Sequence, residues 1–343
     1  MSREQDLLAI LSGQSKGPTA SLARIGLSLI EPFYASATQA RNTLFDRGVK
    51  TVHDLGRPTI SVGNLTTGGT GKTPVVQWLV RQFLSARVRP AVLLRGYRAR
   101  DGVSDEAELY RQIDGVEVEA DPDRIAGAAA VLKRSPDVGV FLLDDGFQHR
   151  RAKRAFDLVL IDATNPFGHD HVLPRGLLRE PAAGLRRADA ILITHADERD
   201  DPLMARLRSL NPTAPVYRCR HSVRRLIDAD AHSLDTQTLA PAAGVAGIGN
   251  PDAFFNDIES TFRLPLSRRI ALPDHAAYDA AAVDRLNESL AGVRTVVTTE
   301  KDWVKLRRHA GRLDAAIARA VLELDFADGH ADALWQQIVT AAQ

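Results

Sequence analysis

Thr59-Ile60-Ser61-Val62-Gly63-Asn64-Leu65-Thr66-Thr67-Gly68-Gly69-Thr70-Gly71-Lys72-Thr73-Pro74 is the stretch on which the reading of this chain turns. Thr59 to Leu65 is an apolar run ending in a glycine-rich turn, the pattern of a buried strand. Beyond Pro74, residues Val75, Val76, Leu79, Val80 and Phe83 recur as one face of a helix. Strand, glycine loop, Lys-Thr and helix form the layout of a phosphate-binding P-loop. Glycines let backbone N–H groups close around phosphate oxygens, and the helix N-terminus adds partial positive charge. The loop from Thr66 and Thr67 through Gly68, Gly69, Thr70 and Gly71 to Lys72 and Thr73 is the expected nucleotide-binding segment. Lys72 would reach the β- and γ-phosphates, and Thr73 would ligate Mg²⁺. The strict motif has Gly where this chain has Thr66. The run Gly68 to Thr73 fits a Gly-Gly-x-Gly-Lys-Thr variant, with Thr67 where an extra lysine often stands. The bland alternative, a turn that binds nothing, does not explain why both the strand and the helix are present.

Composition sets the frame. At 343 residues the chain suggests two domains, and 44% hydrophobic with 25% charged residues is ordinary for a globular protein. A net charge of +1 makes no case for nucleic-acid binding. The single cysteine, Cys219, excludes an internal disulfide, fits a reducing compartment and reads as structural. The start of the chain is polar and acidic at Glu4 and Asp6, so no signal peptide is expected, and no apolar run is long enough to span a membrane.

Between Ser21 and Phe45, residues Leu22, Ile25, Leu29, Phe33, Ala37, Ala40 and Leu44 recur at helical spacing. Leu27, Ile30, Tyr34 and Phe45 widen the apolar side, and Arg24, Arg41, Arg47 and Lys50 add positive charge. Two readings stand: a basic amphipathic helix lying in a membrane interface, or a helix packed on the protein's own core. Pro32 is expected to kink or interrupt it.

Further strands are expected at Pro90–Leu94, around Val118, at Val138–Leu143, Phe156–Ile161 and Asp189–Ile193, with an alanine-rich helix over Arg124–Arg134. The alternation implies an α/β fold with a doubly wound, mainly parallel sheet. Arg95 follows the second strand, where ligands bind in open α/β sheets. Ser104 is a plausible N-cap for a helix that opens with Asp105 and Glu106. The fourth apolar run ends in Asp144-Asp145-Gly146-Phe147-Gln148-His149, a Walker-B pattern whose carboxylates would serve Mg²⁺. Two adjacent carboxylates at a buried strand end call for a cation. Leu173-Pro174-Arg175-Gly176-Leu177-Leu178-Arg179-Glu180-Pro181 is a loop whose charges either clamp phosphate or substrate or are simply solvated. Near Pro215 the character changes. We expect an N-terminal helix region at 1–50, a nucleotide-binding domain at 51–215 and a smaller α/β domain at 216–343. In the last, Val216–Arg220 reads as a linking strand, Gly244–Gly249 and Thr295–Thr299 as strands, Asn250-Pro251 as a helix start and Leu272–His275 as a turn.

Together, Gly63–Pro74, Arg95-Gly96-Tyr97, Asp105-Glu106, Leu143–His149, Leu173–Gly176, Gly249-Asn250-Pro251, Pro273-Asp274-His275 and Thr298–Asp302 resemble the tetraacyldisaccharide 4′-kinase family of Gram-negative bacteria. The resemblance covers nearly the whole chain. One departure is Ser104, where the family often has glycine before the two acidic residues. The resemblance implies a membrane-associated P-loop kinase with two domains closing around a cleft. It implies transfer of the γ-phosphate of ATP to the 4′-hydroxyl of tetraacyldisaccharide 1-phosphate. It also implies Asp105 as general base paired with His275, Lys72 on the transferring phosphoryl, and Thr73, Asp144 and Asp145 as Mg²⁺ ligands. Arg95, Glu106, Gln148, His149, Arg175 and Arg179 are candidate phosphate or substrate contacts. The lipid A precursor and the cytoplasmic leaflet of the inner membrane are the implied partners, with no nucleic acid and no obligate protein partner. The main rival is a nucleotide switch or metallochaperone GTPase. Guanine specificity usually needs Asn/Thr-Lys-x-Asp, and this chain has Thr194-His195-Ala196-Asp197. A second rival is a soluble small-molecule kinase whose early helix is part of the core.

Overall fold

Strand β1 (Thr59–Asn64) is buried at every residue, as expected for an apolar strand covered on both faces. It pairs in parallel with β4 (Val140–Asp144) on one side and β5 (Phe156–Asp162) on the other. The computed structural model describes residues 3–96, 105–196, 201–273, 276 and 278–343, without the side chains of residues 3–6, 105 and 201. These form two units, one of Met1–Arg95, Gly115–Arg220 and Phe326–Gln343, the other of Gly96–Asp114 and His221–Asp325.

In the first unit, strands β2 (Pro90–Leu94), β3 (Glu117–Ala120), β6 (Ala190–Thr194) and the start of β7 (Val216–Ile227) complete a parallel sheet. Its order is β3-β2-β4-β1-β5-β6-β7. Helices α1 (Arg3–Leu11) and α2 (Pro18–Asp46) precede the sheet; α3 (Lys72–Ser85) packs on β1, β4 and β2. The second unit contributes α4 (Asp105–Arg111), and α5 (Arg124–Arg134) returns the chain to the first. Ala128 and Val131 of α5 pack with Ala91, Leu93, Phe141 and Leu143 of the sheet. Helix α6 (Asp201–Leu210) follows β6.

The second unit has its own parallel strands, β8 (Ala242–Ala246), β9 (Leu266–Ala271), β10 (Thr295–Thr299) and β11 (Ala316–Phe326), in the order β11-β10-β8-β9. Helices α7 (Pro251–Phe262), α8 (Ala280–Ser289) and α9 (Glu300–Leu306) connect them, and α10 (His330–Ala341) ends the chain. Asn250 caps α7 by accepting from Ala253 N–H, with Pro251 at the first turn. The strand expected over Gly244–Gly249 is β8 and stops at Ala246, where the chain turns toward α7. The linking strand expected at Val216–Arg220 continues to Ile227. Ser104 and part of the Leu272–His275 turn lie outside the described residues.

The units do not follow one boundary at 215/216. Helix α10 belongs to the first unit because Trp335 packs edge-on against Phe83 of α3, with centroids 4.9 Å apart. Residues 96–114 belong to the second because α4 packs on α9, where Glu108 pairs with Arg307. Asp105 is therefore grouped with the second unit, although it lies between first-unit strands in sequence.

Helix α2 is continuous from Pro18 to Asp46, so Pro32 does not interrupt it. Pro32 lies on an exposed side, where water can satisfy the carbonyl freed by its missing N–H. The core-packing reading of α2 is overturned for its apolar stripe: Leu22, Ile25, Leu29, Phe33, Ala37, Ala40 and Leu44 are all exposed. Phe33 is 77% and Leu29 69% exposed, while the buried residues of α2 are Ala20 and Asn42. The opposite side docks on the first unit. Glu31 accepts from Val172 N–H at 2.7 Å and pairs with His171, and Tyr34 donates to the carbonyl of Arg179. Arg24 is used within the helical pair, donating to the carbonyls of Ile10 and Ser15.

A Cβ at Gly63 would lie 2.6 Å from Phe147 Cβ and 2.7 Å from its backbone nitrogen. Gly63→Ala is expected to lower unfolding free energy by about 1–3 kcal/mol in urea titration, as overpacking of a close backbone approach.

Candidate active site

The register of the sheet builds the site. Val62 of β1 is the partner of Asp144 at the end of β4, so the glycine loop and the paired aspartates leave adjacent strands at the same edge. In a parallel sheet this carboxyl edge is where ligands bind. Gly68 (φ 114°) and Gly71 (φ 77°) hold left-handed backbone that a side chain would strain. Gly71 is the N-cap of α3, so Lys72 and Thr73 form its first turn. A Cβ added at Gly68 or Gly69 would meet nothing within 4 Å, so this side of the loop is open to a ligand.

Lys72 Nζ lies 3.1 Å from Asn64 Oδ1 and 3.3 Å from Asp145 Oδ1. Arg179 donates to Asp145 Oδ2 at 2.6 Å. Asp145 thus stands between two cations. Burial opposes its ionised form, but Lys72 and Arg179 outweigh that and hold its carboxyl below the usual range. Lys72 and Arg179 balance the charge of Asp145, and its Oδ1, which has no hydrogen-bond partner, remains as an oxygen donor. Asp145 has φ 57°, an uncommon conformation for a side-chain-bearing residue, and Gly146 follows with room for no Cβ against Ser61 and Leu143. Asp144 is buried at the strand end.

The 173–181 loop folds onto the P-loop instead of standing in solvent. Thr67 N–H donates to Leu177 O at 2.7 Å, Arg179 N–H donates to Leu65 O at 2.7 Å, and Thr66 bridges Leu178. Thr66 Oγ1 also receives Asn64 Nδ2. Thr66 and Thr67 are therefore engaged by protein, while Gly68 and Gly69 are exposed and Gly71, Lys72 and Thr73 half-buried at the candidate phosphate-binding turn. Thr70 Oγ1 is buried without a hydrogen-bond partner, while Thr70 O receives the Thr194 hydroxyl. That orphaned hydroxyl, the open glycines and the hard oxygen donors of Thr73, Asp144 and Asp145 fit a nucleotide phosphate with Mg²⁺.

The other candidates divide. Gln148 joins the site, donating from Nε2 to Asn64 O at 2.9 Å and Glu180 Oε1 at 3.1 Å. Arg175 does not: it donates to the carbonyl of Leu11 in α1. His149 is half-buried with Nε2 unpartnered. Arg95 is exposed just past β2, and Glu106 is exposed on α4. The side chain of Asp105 and all of His275 lie outside the described residues. Cys219 is buried, and burial pushes its thiol up to about 12, in keeping with a structural role. Sequence reasoning assigned no role to Asn64, the partner of Lys72. Its place inside the apolar β1 run was the available signal, because a buried amide needs partners.

Fold and site together define a P-loop phosphotransferase. A family model described as tetraacyldisaccharide-1-P 4′-kinase matches residues 23–342, and the chain belongs to that family. It is 33% identical to the tetraacyldisaccharide 4′-kinase of Geobacter sulfurreducens, over 92% of this chain and 93% of that protein. It is 37% identical to that of Pelobacter propionicus, over 88% and 89%. Among solved structures, LpxK from Aquifex aeolicus in complex with ATP superposes with a TM-score of 0.75 and 25% identity, covering 94% of this chain and 100% of that one.

Burial, with Arg124, Arg151 and Arg154 nearby, pushes the His149 imidazole from 6.5 down to about 4. The unfolded chain takes up this proton first, so the His149 contribution to stability is full above pH 6.5 and is lost as pH falls toward 4. Urea titrations across that window are expected to show a shallower loss of stability on acidification for His149→Gln than for the parent chain.

Proposed function

We propose that Lys72, Asp105 and His275 carry phosphoryl transfer from ATP bound at Gly68–Thr73, and that the chain meets its lipid acceptor at the cytoplasmic membrane surface. Family membership carries the activity itself: ATP-dependent phosphorylation of the 4′-hydroxyl of a tetraacyldisaccharide 1-phosphate, a step in lipid A biosynthesis. The observation that carries the Lys72 assignment is its place between Asn64 and Asp145 beside the open glycine loop, while Asp105 and His275 rest on the motifs that resemble the family's.

Phosphoryl transfer relies on positioning and electrostatics more than on covalent catalysis. Backbone N–H groups of Gly68–Thr73 orient the phosphate chain, and Lys72 places positive charge on the transferring group. Thr73, Asp144 and Asp145 would hold Mg²⁺, which neutralises charge on the phosphate oxygens. Arg179 keeps Asp145 ionised and fixed. Asp105 accepts the proton of the attacking hydroxyl, and His275 shares it. Asp162 accepts from Thr164 and pairs with His195 at the ends of β5 and β6. Thr194 braces Thr70, so this corner supports the loop and gives no lysine for a guanine reader.

No helix among the described residues is long and apolar enough to cross a membrane. The exposed stripe of α2 supports a peripheral or monotopic attachment, with the apolar face in the interface and Arg47 and Lys50 near anionic headgroups. The acceptor's acyl chains keep it in the bilayer, so such a face brings enzyme and substrate to one surface. No nucleic acid and no obligate protein partner enter this reading.

With [γ-³²P]ATP and tetraacyldisaccharide 1-phosphate in mixed micelles, Mg²⁺-dependent labelling of the lipid is expected. Lys72→Ala, Asp105→Ala and His275→Ala should each lower kcat by about 10²-fold or more, the latter two with nearly unchanged ATP affinity. Release of free phosphate alone would sink the acceptor assignments. In a separate flotation assay on anionic vesicles, Leu29→Ser and Phe33→Ser should each weaken partitioning about tenfold; equal binding by the variants would remove α2 as the anchor.

A further inference from the structure

Glu180 is fully buried, an expensive position for a carboxylate unless every lone pair is used. Its Oε1 receives Gln148 Nε2 at 3.1 Å and Arg187 at 2.9 Å. Its Oε2 receives Asn42 Nδ2 at 2.6 Å. Gly184 makes room for the carboxylate, because a Cβ there would lie 2.7 Å from Glu180 Oε2. Asn42 is on α2, the helix whose opposite stripe is exposed, and it is one of the two buried residues of that helix.

Two routes run from α2 to Lys72, one from Asn42 through Glu180 and one from Tyr34. Gln148 Nε2 bridges Glu180 to the carbonyl of Asn64, whose side-chain oxygen accepts from Lys72. Arg179 precedes Glu180 in sequence, and its carbonyl receives Tyr34 of α2 while its guanidinium holds Asp145, the other partner of Lys72. An apolar face alone would serve an anchor; a buried amide donating to a buried carboxylate does something more specific.

We infer that Asn42 is a positioning residue of the phosphate site: through Glu180 and Gln148 it sets the place of Asn64 and Lys72, so that α2 orders the site as well as carrying the exposed stripe. This rests on the kinase reading above for its turnover readout. Without Asn42, Glu180 Oε2 loses its donor, and the carboxylate turns to find another, drawing Gln148 away from Asn64. Lys72 then loses the fixed geometry that transfer requires.

The test uses the full chain, with urea denaturation to establish that each variant is folded. Asn42→Ala is expected to lower kcat about tenfold and to weaken ATP about threefold or more, by titration with a fluorescent ATP analogue. The KM for lipid and flotation on anionic vesicles should stay within about twofold. Asn42→Leu, close in size and unable to donate, should show the same losses and serves where the alanine variant does not fold. In a Gln148→Ala background the effect of Asn42→Ala should shrink to about twofold or less, because both act through one route. ATP affinity and kcat unchanged in folded Asn42→Ala, or full multiplication of the two effects, would overturn the inference. If the parent chain binds ATP but labels no lipid, the kinase reading fails, and the positioning role is still decided by the ATP titrations.

Discussion

The candidate site depends on one adjacency: β1 and β4 run side by side and in the same direction, with Val62 opposite Asp144. Parallel pairing brings the glycine loop and the paired aspartates out at one edge. The close approach of Gly63 to Phe147 then fixes how the segment after Asp145 turns back over β1. The loop after β1 and the turn after β4 leave the sheet at one level because of that register, and Lys72 and Asp145 meet there at 3.3 Å.

Around this pair the chain adds support in shells. The 173–181 loop lies along the P-loop by main-chain bonds and contributes Arg179 to Asp145. Helix α2 then ties to the 171–181 segment through Glu31, Tyr34 and Asn42. The helix thus has two unlike sides. One packs Tyr34 and Ala35 on the core and places Glu31 and Asn42 in hydrogen bonds linked to the site; the other is an exposed apolar stripe. The separation lets one element keep an apolar face outward while its other side is tied to the segment that holds Asp145.

Much was legible in the residues. The Thr59–Phe83 stretch specifies strand, loop and helix through apolar spacing and glycine placement, and the structure has β1, the loop and α3 there. Helix α5 spans Arg124–Arg134 as its alanine-rich run implies. Other features were hidden because they depend on distant partners. Arg175 and Arg179 are four residues apart in one loop and looked alike as charges, yet one binds the α1 carbonyl of Leu11 and the other Asp145. Strand β9 is short, with Ser267, Arg268 and Arg269 in succession, and gives little periodic signal, whereas β11 alternates Leu322, Glu323, Leu324, Asp325 and Phe326, a strand signal that was available.

The sequence by itself determined the class of chemistry, because phosphate binding needs glycines, a lysine and a hydroxyl at fixed local spacing, and that information is contiguous. Tertiary structure alone decided which groups Lys72 touches, which arginine guards Asp145, and which side of α2 is buried. Those outcomes depend on contacts between residues tens of positions or more apart, such as Asn42 with Glu180 and Trp335 with Phe83. Amphipathic spacing marks a helix that has two sides; only packing settles which side the protein keeps for itself.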